Sequence, residues 1–187
     1  MTSIIIEKPR VAVYIDGGNF FKYLRSPAAA FPKGTKFDYS GFVNYLVNNR
    51  ALVSKRYYIG ITRNVDGTEK SEEIVRAQQN FLAVLSNDGF AIKRGRIMYD
   101  GNRIREKGTD VKIAIDMVVG AASNFYDVAI LASSDTDLIP AIKYLKFCGK
   151  RFEYVGFEHT PSYGMDKLAD VSILLAQKDL EKFKLVD

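Results

Sequence analysis

The sequence predicts an α/β protein: a three-layer α/β/α sandwich in which helices cover both faces of a mostly parallel central sheet. Two observations lead there. Short apolar runs that read as buried strands alternate along the chain with stretches of helical apolar spacing. Such alternation builds parallel strands joined by right-handed crossovers. A third observation bounds the answer: 187 residues, 47% hydrophobic and 26% charged, have the balance of one ordinary globular domain, read here as residues 1–187. The chain carries no repeat, low-complexity segment or Pro/Ser-rich linker that would divide it.

The first run, Val11-Ala12-Val13-Tyr14-Ile15, ends at Asp16 and meets Gly17-Gly18-Asn19, a strand running into a tight turn. Ser26 to Lys36, with Pro27 and Pro32, reads as a loop excursion. Tyr39 to Asn49 places Phe42, Tyr45 and Leu46 on one helical face. Tyr57 to Ile61 is the next strand, and Ser71 to Ser86 repeats apolar residues at Ile74, Ala77, Phe81, Leu82 and Leu85, an amphipathic helix. Phe90 to Ile92 is a further strand. Asp110 to Ala122 is apolar almost all round, which predicts a well-buried helix. Val128 to Ala132 and Phe152 to Val155 are strands that flank a helix over Asp137 to Phe147 with a stop at Gly149. Pro140 is tolerated only in a first turn, where its missing N–H costs nothing, so that helix should begin near Thr136 or Asp137. Ser172 to Gln177 and Asp179 to Phe183 are terminal elements expected to pack on the sheet.

Composition removes several chemistries. The single cysteine, Cys148, excludes an internal disulfide, a thiolate zinc finger and a Cys-x-x-Cys pair within one chain. The single histidine, His159, excludes a His-Glu-x-x-His zinc site and leaves any Ser–His or Cys–His hydrolase one position for its base. Chemistry must then rest mainly on carboxylates. No apolar run approaches the roughly 18 residues of a membrane span, and Met1 to Arg10 lacks the apolar core of a secretory signal, so a soluble, cytoplasmic protein with no membrane partner is expected. The net charge is +5, and Lys93, Arg94, Arg96, Arg103, Arg105 and Lys107 stand against only Asp100 and Glu106, a local net of +4. That stretch is a candidate phosphate-facing patch, or simply a solvated hairpin kept soluble by charge.

In a parallel α/β sheet, ligands gather outside the carboxyl ends of the strands, at the point where strand order reverses. Asp16 ends the first strand. Asp135 and Asp137 follow the strand Val128 to Ala132 through Ser133-Ser134, and the Lys107-Gly108-Thr109-Asp110 turn delivers Asp110 at a helix start. If the two strands are neighbours, four carboxylates share one edge. Two unit charges about 4 Å apart repel by roughly 4 kcal/mol at an effective dielectric near 20, so such a cluster calls for neutralisation. Hard oxygen donors without His or Cys select Mg²⁺ or Mn²⁺ over zinc. A divalent ion of this kind lowers the pKa of bound water and stabilises charge on a phosphodiester without a histidine base.

Each residue also has an ordinary role open to it. Asp16 can belong to a turn, Asp110 can cap its helix, Asp135 and Asp137 can cap theirs, and Asn19 can cap a helix starting at Phe20 or hold an aspartate or a phosphate. Asp116 lies about 240° round the helix from Asp110, so the two carboxylates need not face one metal.

At these residues the chain resembles the NYN domain family of PIN-like ribonucleases, in its bacterial LabA-like branch. The motifs are Tyr14-Ile15-Asp16-Gly17-Gly18-Asn19-Phe20, then Lys107-Gly108-Thr109-Asp110-Val111 with Asp116, then Ser133-Ser134-Asp135-Thr136-Asp137-Leu138 with Pro140. Their order and spacing together cover most of the chain. The resemblance implies a PIN-like fold and a metal-dependent site drawn from Asp16, Asn19, Asp110, Asp135 and Asp137, with Asp116 as a further member. It implies Mg²⁺ or Mn²⁺ held by Asp16, Asp110, Asp135 and Asp137, and RNA, single-stranded or structured, as substrate. On that basis a metal-activated water attacks phosphorus, leaving a 5′-phosphate and a 3′-hydroxyl. Asn19 orients Asp16 or the phosphate, while Ser133, Ser134 and Thr136 hydrogen-bond the carboxylates. Lys93 to Lys107 would hold the nucleic-acid backbone, and Tyr99 either stacks on a base or packs beside its strand.

Two other classes compete. A catalytically silent NYN-type module that binds nucleic acid or protein would keep the same acidic edge without turnover. A metal-dependent phosphatase would act on small phosphate esters and leave oligonucleotides intact. A dinucleotide-binding oxidoreductase is disfavoured, because Asp16 puts a charge where pyrophosphate would approach and no Gly-x-Gly-x-x-Gly follows the first strand.

Overall fold

The computed structural model describes residues 7–62, 67–100 and 103–185, with the backbone alone for 97–100 and 103–106. Nine strands and seven helices alternate among these residues: β1 (Arg10–Asp16), α1 (Gly17–Leu24), β2 (Lys36–Phe37), α2 (Tyr39–Val47), β3 (Ala51–Ile61), α3 (Glu69–Asn87), β4 (Ala91–Asp100), β5 (Arg103–Lys107), α4 (Thr109–Ala122), β6 (Val128–Ala132), α5 (Ile139–Phe147), β7 (Arg151–Phe157), α6 (Tyr163–Leu168), β8 (Val171–Leu175), α7 (Gln177–Glu181) and β9 (Lys184–Leu185). The main sheet has the order β5-β4-β3-β1-β6-β7-β8. All its pairings are parallel except β4–β5, an antiparallel edge hairpin. The α/β/α architecture is therefore the one the alternation predicts.

The central strands alternate apolar side chains to both faces, as a sheet covered on both sides requires. Val11, Val13 and Ile15 of β1 enter one core with Phe20, Phe42, Tyr57, Leu82 and Leu85 from the side of α1, α2 and α3. Ala12 and Tyr14 enter the other with Tyr58, Ile113, Met117, Ile142 and Met165 from the side of α4, α5 and α6. Asp16 continues the second series, so its side chain leaves the sheet towards α4 and α5.

Several elements differ from the sequence expectations. Strands β3 and β4 extend well past the apolar runs at Tyr57–Ile61 and Phe90–Ile92, because polar residues that pair with β1 and β5 still join the backbone ladder. The first helix begins at Gly17, not Phe20, and its cap is Asp16. The segment 26–36 is not all irregular: Pro27–Ala29 forms a 3-10 turn, and Lys36 pairs with Leu185 in a two-stranded sheet. A 3-10 turn over Thr136–Leu138 precedes α5 and accommodates Pro140 in the helix's first turn. Helix α4 is buried on one side only, and Val111, Ile115 and Val119 are exposed on its outer face. Apolar residues all round a helix do not say which side a neighbour covers. Among the described residues no helix is long and apolar enough to cross a membrane.

Candidate active site

The chain leaves β1 towards β3 on one side and returns later to β6 on the other, so the order reverses between β1 and β6. At such a reversal the two connections diverge and open a crevice at the carboxyl ends of the strands. Val11 to Ile15 pair in register with Val128 to Ala132. The residues that follow each strand, Asp16 and Ser133, therefore emerge side by side.

Asp16 is 5% exposed. Its Oδ1 accepts the backbone N–H of Asn19 at 3.1 Å, which caps α1, and its Oδ2 accepts the Ser133 hydroxyl at 2.8 Å. Ser133 Oγ in turn accepts the backbone N–H of Asp135 at 3.2 Å. Asp135 caps the 3-10 turn by accepting the Asp137 N–H at 2.9 Å. The Asn19 side chain closes the ring: its Oδ1 accepts the Ser134 N–H at 3.0 Å. One hydrogen-bonded network thus ties Asp16, Asn19, Ser133, Asp135 and Asp137 across two strand ends. The exposure within it is graded, with Asp16 and Ser133 buried, Asp135 half-buried and Asp137 exposed.

Asp110 arrives by a different route. Strand β5 ends at Lys107, opposite Arg96, three residues beyond Lys93, which shares the level of Tyr58 and Asp16. Helix α4 therefore starts above the carboxyl edge and packs on the Thr136–Leu138 turn and on α5. Asp110 is the second residue of that helix. Its cap position is held by Gly108 at φ 81°, with no side-chain cap hydrogen bond, so Asp110 is not the cap.

Asp116 has another setting. Its Oδ2 accepts the Tyr58 hydroxyl at 2.7 Å and pairs with Arg56 at 3.1 Å and Lys93 at 3.6 Å. Burial, followed by this hydrogen bond, pushes the Tyr58 phenol far up, so Tyr58 stays a proton donor at any working pH. Burial likewise raises Tyr14, whose ring lies 5.6 Å under Arg56. Asp116 is a counter-ion locking α4 to β3 and β4.

The basic run divides along β4. Lys93 turns to Asp116, while Arg94 and Arg96 are exposed on the opposite face, with Lys107 beside Arg96 in the ladder. Arg103 and Arg105 lie on β5, but their side chains, like that of Tyr99, fall outside the described residues. Ser134 does not hold a carboxylate among the described residues; its hydroxyl meets Tyr154 at 2.9 Å. Thr136 is exposed and lies against Gly164. His159 is exposed and contacts the rings of Tyr23 and Phe157, so no Ser–His pair stands among the described residues. Sequence reading missed Arg56, Tyr58 and Tyr154, which look like ordinary strand residues until the register is known. Among the described residues no three His, Cys, Asp or Glu side chains are grouped closely enough to hold a metal ion. What is assembled is the Asp16–Ser133–Asp135 link.

The fold and this acidic edge define a PIN-like α/β/α protein. The model of the family described as "NYN domain" matches residues 10–175, and the chain belongs to that family. Its members are generally nucleases that typically use divalent metals. A solved structure, described as that of a protein of unknown function, VPA0982, from Vibrio parahaemolyticus RIMD 2210633, is similar with a TM-score of 0.70 and 20% identity, covering 99% of this chain and 100% of that one. At that identity the likeness shows the fold. A search of curated proteins returns no significant match.

Proposed function

We propose that the protein is a Mg²⁺- or Mn²⁺-dependent ribonuclease of the LabA-like branch, hydrolysing RNA phosphodiester bonds at the β1/β6 edge. The observation that carries this reading is the Ser133 hydroxyl linking the buried carboxylate of Asp16 to the Asp135 backbone. Burying a carboxylate is costly unless its charge is used or compensated, and Asp16 sits at the one edge where this fold places ligands.

By chemistry, though not by their present grouping, the donors suit a hard divalent ion: all are oxygens, and Asp135 and Asp137 make no ion pair with a described residue. Asp16, Asp110, Asp135 and Asp137 would hold it, and Asp116 is left out because Arg56 and Lys93 already occupy it. When bound, the ion supplies Lewis-acid activation of water and stabilisation of charge on the phosphate. Ser133 fixes the rotamer of Asp16 through the hydrogen bond that its hydroxyl donates to Oδ2. Asn19 clamps the β6 turn to α1, so Asp135 cannot drift away from Asp16. Arg94, Arg96 and Lys107 provide exposed positive charge on the β4–β5 hairpin for a polyanionic backbone.

The test is cleavage of end-labelled single-stranded and structured RNA with Mn²⁺, Mg²⁺ or chelator, beside folded Asp16→Asn and Asp135→Asn variants. Metal-dependent cleavage lost in both variants is the expected result. Tight oligonucleotide binding without cleavage would favour the silent module, and turnover confined to small phosphate esters would favour the phosphatase.

A further inference from the structure

Tyr163 opens α6 and is 82% exposed, a large aromatic ring standing in water beside the acidic edge. Its backbone is anchored while its ring is not. The N–H of the preceding Ser162 donates to the Tyr154 hydroxyl at 2.9 Å, that hydroxyl meets Ser134 Oγ at 2.9 Å, and the Ser134 N–H donates to Asn19 at 3.0 Å. Three hydrogen bonds therefore index the start of α6 to Asn19, whose own N–H donates to the capping carboxylate of Asp16. Gly156 makes this possible, because a Cβ there would collide with the Tyr154 hydroxyl as the ring runs along β7. On the other side of Tyr163, Gly164 lies flat against the turn that carries Asp137: a Cβ at Gly164 would stand 3.0 Å from Ile139 Cδ1 and 3.8 Å from Thr136 Cγ2. The ring has no hydrogen-bond, ionic or ring partner among the described residues.

We propose that Tyr163 is a stacking platform for an unpaired base of the nucleic acid whose phosphodiester lies at the Asp16–Asp135 edge. The proposal rests on the nucleic-acid reading above and adds a subsite and a strand preference to it. An aromatic ring carried on backbone held at a set offset from the site of phosphate chemistry is what a single strand needs for its register, since every base has a π-face and no hydrogen-bonding code is required. A duplex hides its base faces in the stack and gains nothing from the ring. The anchored backbone matters, because only the ring and not the loop that carries it has to be ordered when the base arrives.

The experiment measures binding of a labelled single-stranded oligonucleotide by fluorescence anisotropy in Mg²⁺, using full-length protein in an Asp135→Asn background that keeps the strand intact. Tyr163→Ala should weaken binding about tenfold, and Tyr163→Phe should stay within about twofold of the parent. The same oligonucleotide in a duplex should show no difference between Tyr163 and Ala. An abasic nucleotide at the stacked position should bring the parent to the level of Tyr163→Ala and abolish the difference between them. Equal affinity of Tyr163→Ala and parent for the single strand, equal losses on single strand and duplex, or no oligonucleotide binding at all would overturn the proposal. Aspartate-dependent cleavage with a silent Tyr163→Ala removes the stacking inference alone. Tyr163-dependent binding with no cleavage by the unmodified protein removes the nuclease reading alone.

Discussion

The hydroxyl of Ser133 lies 2.8 Å from Oδ2 of Asp16, joining residues that are 117 apart in sequence. Both are nearly inaccessible to water, so the bond has no solvent competitor. A hydrogen bond to a buried charge contributes about 1.5–3 kcal/mol, and residues that orient metal-binding carboxylates commonly matter by roughly 10–100-fold in affinity or activity. Ser133→Ala should lower stability in urea by about 1–3 kcal/mol and reduce cleavage by about tenfold or more. Ser133→Thr, which keeps the hydroxyl, should recover part of the activity.

Asp116 predicts the opposite pattern. With Arg56, Lys93 and Tyr58 all on one oxygen, Asp116→Asn leaves two cations without their counter-ion at a site 23% exposed. Stability should fall by about 1–3 kcal/mol. Cleavage per folded molecule should stay within about threefold, which activity measured well below the unfolding transition will show.

Gly17 follows Asp16 and lies close against β3. A Cβ there would lie 2.5 Å from the Tyr57 ring and 2.6 Å from the Tyr58 carbonyl oxygen. The carbonyl belongs to a central strand and cannot give way, so Gly17→Ala should destabilise by about 1–3 kcal/mol and pull the α1 cap out of register. Chemical denaturation checks the first outcome, and loss of cleavage in the folded fraction checks the second.

Arg10 and Asp127 fasten the start of β1 to the start of β6. The Arg10 side chain, then its backbone N–H, hold the Asp127 carboxyl down to about 2 from 3.8. A depressed carboxyl stabilises the fold fully above its unfolded value and loses that contribution as pH falls through the folded value. Between about pH 4 and pH 2 the unmodified protein should therefore lose stability more steeply than Asp127→Asn. Urea midpoints at several pH values in that range test the slope, and high salt should flatten it, because Asp127 is 42% exposed.

Arg94 and Arg96 point away from Lys93 on β4 and are open to solvent. Arg94→Gln and Arg96→Gln should weaken oligonucleotide binding uniformly across sequences and lower the slope of log K against log salt by about 1 each. Anisotropy titrations at three salt concentrations suffice.

Much of this protein was legible in the sequence, for local reasons. Val11 to Ile15 and Val128 to Ala132 are apolar on both sides of the pleat, which marks central parallel strands. Asp16 stands where such a strand must end, because a charged residue breaks the buried run, and Asp135 follows the end of β6 by three residues. Periodicity reports which way a side chain faces relative to its own backbone. It carries no information about which distant strand lies alongside. Only the tertiary structure set β6 against β1 and so brought Ser133 to Asp16, and only strand order gave Asp116 to Arg56 and Lys93. The exposed outer face of α4 and the bare ring of Tyr163 were decided the same way: an apolar residue can be buried anywhere a neighbour exists, and the neighbour is a property of the fold.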